Sequence, residues 1–159
     1  MKKSEKLNLI SNIDSFDPLL MDLAVSDDFE DVRLTAVDKL SEFAEQGEAV
    51  SDYIKIALND RSETVRDAAF SVIDTLDKKN IILDLLDTAI NTPYPESRIK
   101  AVKYFISSDA TQEDLRYMMP KVLSDSNKEI RSWALATADF IWDRDFLSEN
   151  DAISFISTY

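Results

Sequence analysis

Four arginines recur along this chain at nearly equal intervals: Arg33, Arg66, Arg98 and Arg131, spaced 33, 32 and 33 residues apart. Three residues after each stands an alanine, at Ala36, Ala69, Ala101 and Ala134. One further on comes an apolar side chain, at Val37, Phe70, Val102 and Leu135. Other columns keep the same register upstream: Val25, Leu58, Ile90 and Leu123 lie eight residues before the arginines, and Met21, Ile54, Leu86 and Met119 twelve before. A period of this length means one supersecondary unit written several times. Such a unit cannot bury its apolar face alone and must stack on its neighbours.

Each unit reads as two helices. The upstream apolar columns have helical spacing, and so do the positions from one before to seven after each arginine. Between the two segments lie short polar breaks, "SDDFED", "NDRSE", "NTPYPE" and "SDSNKE", which place helix breaks near residues 26–30, 59–63, 91–96 and 124–128. Asp17 and Pro18 make a good N-cap and first-position pair, and Gly47 suits a helix C-terminus. No alternating run is bounded by hairpin chemistry, so strands are not expected. The expected fold is all-α, one domain over residues 1–159 with repeats at about 17–48, 49–79, 80–111 and 112–143. Segment 1–16 reads as an N-terminal cap, with Leu7, Ile10 and Ile13 at helical spacing, and 148–158 as a C-terminal capping helix.

The core "DDFEDVRLTA" (27–36) and "DRSETVRDAA" (60–69), echoed by Asp125, Ile130, Arg131 and Ala134, resembles the HEAT-repeat family of α-solenoids over about residues 17–143. The resemblance implies a stack of helix pairs whose second helices line a concave binding surface. The third unit departs from the pattern. Thr92 replaces the acid, Ser97 replaces the apolar residue, and Pro93 and Pro95 stiffen the turn. Because acids recur with the same period as the arginines, Arg33, Arg66, Arg98 and Arg131 read as a structural ladder, paired with turn aspartates and exposed carbonyls, rather than as a row for phosphate ligands.

Composition removes most enzyme chemistries. The chain has no histidine, no cysteine and one glycine. That leaves no imidazole base, no thiol nucleophile and no glycine-rich phosphate loop. Paired carboxylates such as Glu113 and Asp114 fall at helix starts, where they favour the helix dipole. Calcium loops fail for want of a turn glycine after Asp125 and after Asp143. No catalytic residue, metal or cofactor is expected. Lack of cysteine fits a reducing compartment, and no apolar run suggests a signal peptide or membrane span, so the chain reads as cytosolic.

Charge then points to a partner. The net charge is −13, and residues 14–77 alone hold 17 acids against 5 bases, a net of −12. Such a surface repels a phosphate backbone and steers a basic protein. On the second helices, pointing away from the apolar stripe, the candidate binding residues are Asp38, Glu42, Asp67, Asp74, Tyr104, Trp133, Asp139 and Asp143. The carboxylates either steer a partner or solvate the helices; Trp133 either anchors one or packs against the C-terminal segment. Three classes follow. The favoured one is a non-catalytic module that neutralises a basic protein, in its most concrete form an immunity protein against a bacterial toxin such as a nuclease. The others are a HEAT-type adaptor or assembly factor, and an enzyme on a HEAT-like scaffold such as a bilin lyase. The expected partner is a basic protein, a toxin domain among the candidates, with no nucleic acid and no membrane.

Overall fold

The computed structural model describes residues 1–107 and 111–141. The described residues are helical, with no strand among them. In chain order the helices are α1 (Lys3–Ser11), α2 (Pro18–Val25), α3 (Glu30–Glu45), α4 (Ser51–Leu58), α5 (Glu63–Ile73), α6 (Lys79–Ile90), α7 (Pro95–Ser107), α8 (Gln112–Leu123) and α9 (Lys128–Ile141). The breaks fall at 26–29, 59–62, 91–94 and 124–127, within the intervals read from the sequence. The chain divides into two compact units, Met1–Ser97 and the part from Arg98 onward, so the boundary lies inside α7.

In the first unit the helices form two rows. α2 packs on α4 and α4 on α6, while α1 packs on α3 and α3 on α5; α2, α3, α4 and α5 also meet across the rows. Met21, Ile54, Leu58, Leu85 and Leu86 from the first row and Leu40, Phe43 and Ile73 from the second are fully buried between them. Each such side chain contributes about 1.5–3 kcal/mol by leaving water. Ala36 and Ala69 are also fully buried, and their size permits close approach of the neighbouring helices. In the second unit α8 packs on α9, with Met118, Met119, Val122, Leu123, Ile130 and Ala134 buried.

Local chemistry sets the helix ends. Asp17 caps α2, its carboxylate accepting from the Leu19 and Leu20 N–H groups at 3.0 and 3.2 Å, with Pro18 in the first helical position. Past the end of α3, Gly47 takes a φ of +85°, which an L side chain resists. Gly47 N–H donates to the Ala44 carbonyl at 2.9 Å, and Glu48 N–H to the Phe43 carbonyl at 3.0 Å. These two bonds are the Schellman closure. The link from α1 to α2 is held by Phe16, whose ring stands edge-on to Phe43 (5.5 Å) and Tyr53 (5.7 Å).

At the N-terminus α1 stops at Ser11, so Ile13 lies beyond the helix rather than on its apolar face. Ile10 is buried and Leu7 is half-buried. The expected capping helix over 148–158 lies outside the described residues. No described helix is long and apolar enough to cross a membrane.

Candidate functional site

The recurring aspartate does two things in each turn. Its carboxylate accepts the N–H two residues on, from Phe29 to Asp27 (3.0 Å), from Ser62 to Asp60 (2.7 Å) and from Asn127 to Asp125 (2.7 Å). It also receives a cation from earlier in the chain. Arg33 grips Asp60 with a fork, Nε to Oδ2 at 2.6 Å and Nη2 to Oδ1 at 3.0 Å, and Arg98 grips Asp125 likewise at 2.8 and 3.1 Å. Asp27 has no earlier arginine to receive and takes Lys6 of α1 instead, at 2.6 Å. The second donor face of Arg33, Arg66 and Arg131 turns back to the arginine's own turn. Arg33 Nη1 donates to the Asp27 carbonyl (2.9 Å), Arg66 Nη1 to that of Asp60 (2.7 Å), and Arg131 Nη1 to that of Asp125 (2.5 Å).

These charges are buried and mutually dependent. The hydrogen bonds it donates to Asp60 hold the Arg33 guanidinium above its ordinary pKa, against the opposing pull of burial. Burial would raise Asp27, but the bonds from Lys6 and the Phe29 N–H, with the charges of Lys6 and Arg33, hold it below the usual carboxylate value.

The third unit divides the aspartate's two tasks. Thr92 keeps the turn, its hydroxyl accepting from Tyr94 N–H at 3.3 Å. The cation-accepting role moves along the chain: Arg66 Nε donates to Ser97 Oγ at 3.0 Å, Arg66 Nη2 pairs with Glu96, and the guanidinium lies 3.7 Å from the Tyr94 ring centroid. The departures noted in the sequence at Thr92 and Ser97 thus serve one joint. Tyr94 escaped sequence reading because it occupies no repeating column, and Glu96 because its column, shared with Asp31 and Glu129 but broken at Thr64, gives no sign of a pairing with Arg66.

The carboxylates of the second helices are distributed differently. Asp38 and Glu42 sit one turn apart on α3; Asp67, Ser71 and Asp74 follow the corresponding stripe of α5, which packs beside α3. Asp38, Glu42 and Asp74 are exposed and Asp67 is half-buried. Glu42 is partly neutralised by Lys39, at 2.6 Å. Asp38 makes no ion pair among the described residues. Partial loss of water, and then the charge of Glu42, push its carboxyl above the usual value. Asp74 is the C-cap of α5, and neither α3 nor α5 carries a base in its last turn. A carboxylate there meets the negative end of the helix dipole.

The remaining candidates belong to the second unit. Tyr104 is half-buried on α7, flanked by exposed Lys100 and Lys103. Trp133 and Asp139 fall on α9, but their side chains lie outside the described residues, as does Asp143 entirely. Asp38, Glu42, Asp67 and Asp74 are thus brought onto the neighbouring helices α3 and α5. No known protein family, curated protein or solved structure matches the chain.

Proposed function

We propose that the chain is a HEAT-like α-solenoid of about four helix pairs that binds and neutralises a basic protein, without catalysis. The most concrete form of this reading is an immunity protein against a bacterial toxin such as a nuclease. The observation that carries it is the placement of carboxylates on α3 and α5. Asp38 has no ion pair among the described residues and its pKa is raised, and Asp74 faces the unfavourable end of its helix dipole. Both placements cost the free protein stability, and residues kept at such a cost are candidates for function. A lysine or arginine from a partner relieves both costs. The paired helix rows of the first unit, in register with the arginine–alanine period, support the solenoid part of the reading.

The test is affinity capture with the wild type and the Asp38→Lys/Asp74→Lys variant in parallel, with captured proteins identified by mass spectrometry. The expected result is one stoichiometric basic protein retained by the wild type, with an association rate that falls as salt rises. Reversal at the two positions should slow association about tenfold and flatten its salt dependence. Co-expression of the chain should relieve the captured protein's toxicity. A nucleic acid or an acidic protein as the stoichiometric partner overturns the reading. Several assembly components retained together indicate the adaptor class instead.

A further inference from the structure

The first row of helices carries a second surface, of a different chemistry. Leu19 and Leu23, one turn apart on α2, are 72% and 65% exposed. Leu9 of α1 and Ile56 of α4 are also exposed, and Ile56 occupies the same repeat position as Leu23. Beside this ridge Leu9, Ile10, Leu20, Leu23, Ala24 and Val32 line a groove of about 200 Å³ between α1 and α2. Four large apolar side chains in water on one end of a highly charged protein form a patch with a use.

The surrounding charge selects the occupant. Asp22 on α2 and Asp52 on α4 are exposed, and Asp22 has no ion-pair partner among the described residues. With Asp17 these acids crowd Tyr53 closely enough to act on its hydroxyl, whose pKa rises first from burial and then from the three charges. Of the cations near the groove, Lys6 pairs with Asp27 at 2.6 Å and Lys3 with Asp31, while Met1 and Lys2 stand at its α1 end, so the acidic side is that of α2 and α4. A second copy of a chain of net charge −13 meets like charge here, and so does an anionic membrane. A cationic ligand with an apolar stripe meets complementary charge and apolar contact together.

We propose that the α1–α2 groove and its leucine ridge dock an amphipathic helix of a basic protein. Its apolar residues, three and four positions apart, lie against Leu9, Leu19 and Leu23, and its flanking lysines or arginines face Asp22 and Asp52. This inference shares with the proposed function the premise of a basic partner, but it needs another surface and is tested by other substitutions.

The probe is a fluorescent leucine–lysine peptide of about 18 residues with its leucines at helical spacing, compared by anisotropy with a scramble of the same composition. The amphipathic peptide is expected to bind about tenfold more tightly than the scramble. Leu19→Gln/Leu23→Gln should abolish the difference, while Asp38→Lys/Asp74→Lys leaves it in place even if the α3–α5 reading fails. On the wild type, amide shifts caused by the peptide should concentrate on α1 and α2, a readout that needs no variant to fold. Equal binding of the two peptides, or shifts confined to α3 and α5, overturns the proposal. So does sedimentation showing a wild-type dimer that the leucine substitutions dissociate, which gives the groove to a second copy.

Discussion

Arg33 and Asp60 face one another as a two-bonded fork, each side chain only 5% exposed, joining the second helix of one repeat to the turn of the next. Truncating either partner strands the other's charge away from water. Arg33→Ala is expected to cost about 3–5 kcal/mol, and Arg33→Lys to recover only part of it because an ammonium lacks the planar fork. Arg66→Ala should cost less, about 1–3 kcal/mol, because its acidic partner Glu96 is 43% exposed and stays hydrated when released. Urea unfolding of the two alanine variants measures the ranking. Equal losses, or a smaller loss at Arg33, would falsify the buried-fork account.

The divided joint of the third unit gives a compensation experiment. Glu96→Ala should destabilise by about 1 kcal/mol. Thr92→Asp, introduced into that background, restores a carboxylate at the repeating position and should recover most of the loss. In the wild-type background the same substitution adds a redundant acid and should gain nothing. Destabilisation by Thr92→Asp in both backgrounds would show that the turn has no room for the carboxylate.

Two aspartates should respond to pH in opposite directions. Asp27 has a lowered folded pKa, so it stabilises the fold above the unfolded value near 3.8, and this contribution is lost as pH falls through the folded value. Asp27→Asn should therefore be less stable than wild type at neutral pH and converge with it in acid. Asp38 has a raised folded pKa, so its ionisation opposes folding as pH rises through the usual carboxylate range. Asp38→Asn should stabilise the protein at neutral pH while weakening partner binding. Chemical denaturation across the acid range checks both signs, and a destabilised Asp38→Asn contradicts the reading of that residue as functional.

Gly47 offers a purely conformational test. A Cβ built there meets nothing within 4 Å, so only the positive φ resists substitution. Gly47→Ala is expected to cost about 1–2 kcal/mol, with Gly47→Asn intermediate. Thermal melting distinguishes this from a loop that shifts to a negative φ at no cost.

Periodicity made the helical class and the breaks before α3, α5, α7 and α9 legible, because columns such as Met21, Ile54, Leu86 and Met119 are each buried in the unit they belong to. It could not reveal what happens once per chain. Lys6 reaching Asp27 is one such event, and Glu96 with Tyr94 serving Arg66 is another. The exposure of Leu19 and Leu23 was hidden as well: at helical spacing an apolar residue on the water side of α2 looks like one on the core side until the neighbours are placed. Among the candidate binding residues, helical register sufficed to group Asp38 with Glu42 and Asp67 with Asp74. It gave no sign that Lys39 partly neutralises Glu42 while Asp38 has no counterion among the described residues.

Among the described residues every fork points the same way, from an arginine to acceptors that follow it by 27 to 31 residues. A growing polypeptide therefore makes the guanidinium of Arg33, of Arg66 and of Arg98 before the residues that will neutralise it. While synthesis proceeds, the newest helix pair holds an uncompensated cation and cannot close until roughly one more repeat has left the ribosome. Charge compensation thus passes forward along the chain from Arg33 to Arg66 to Arg98. The lag is short, since no partner is more than about one repeat away, and contacts of such limited sequence separation form quickly.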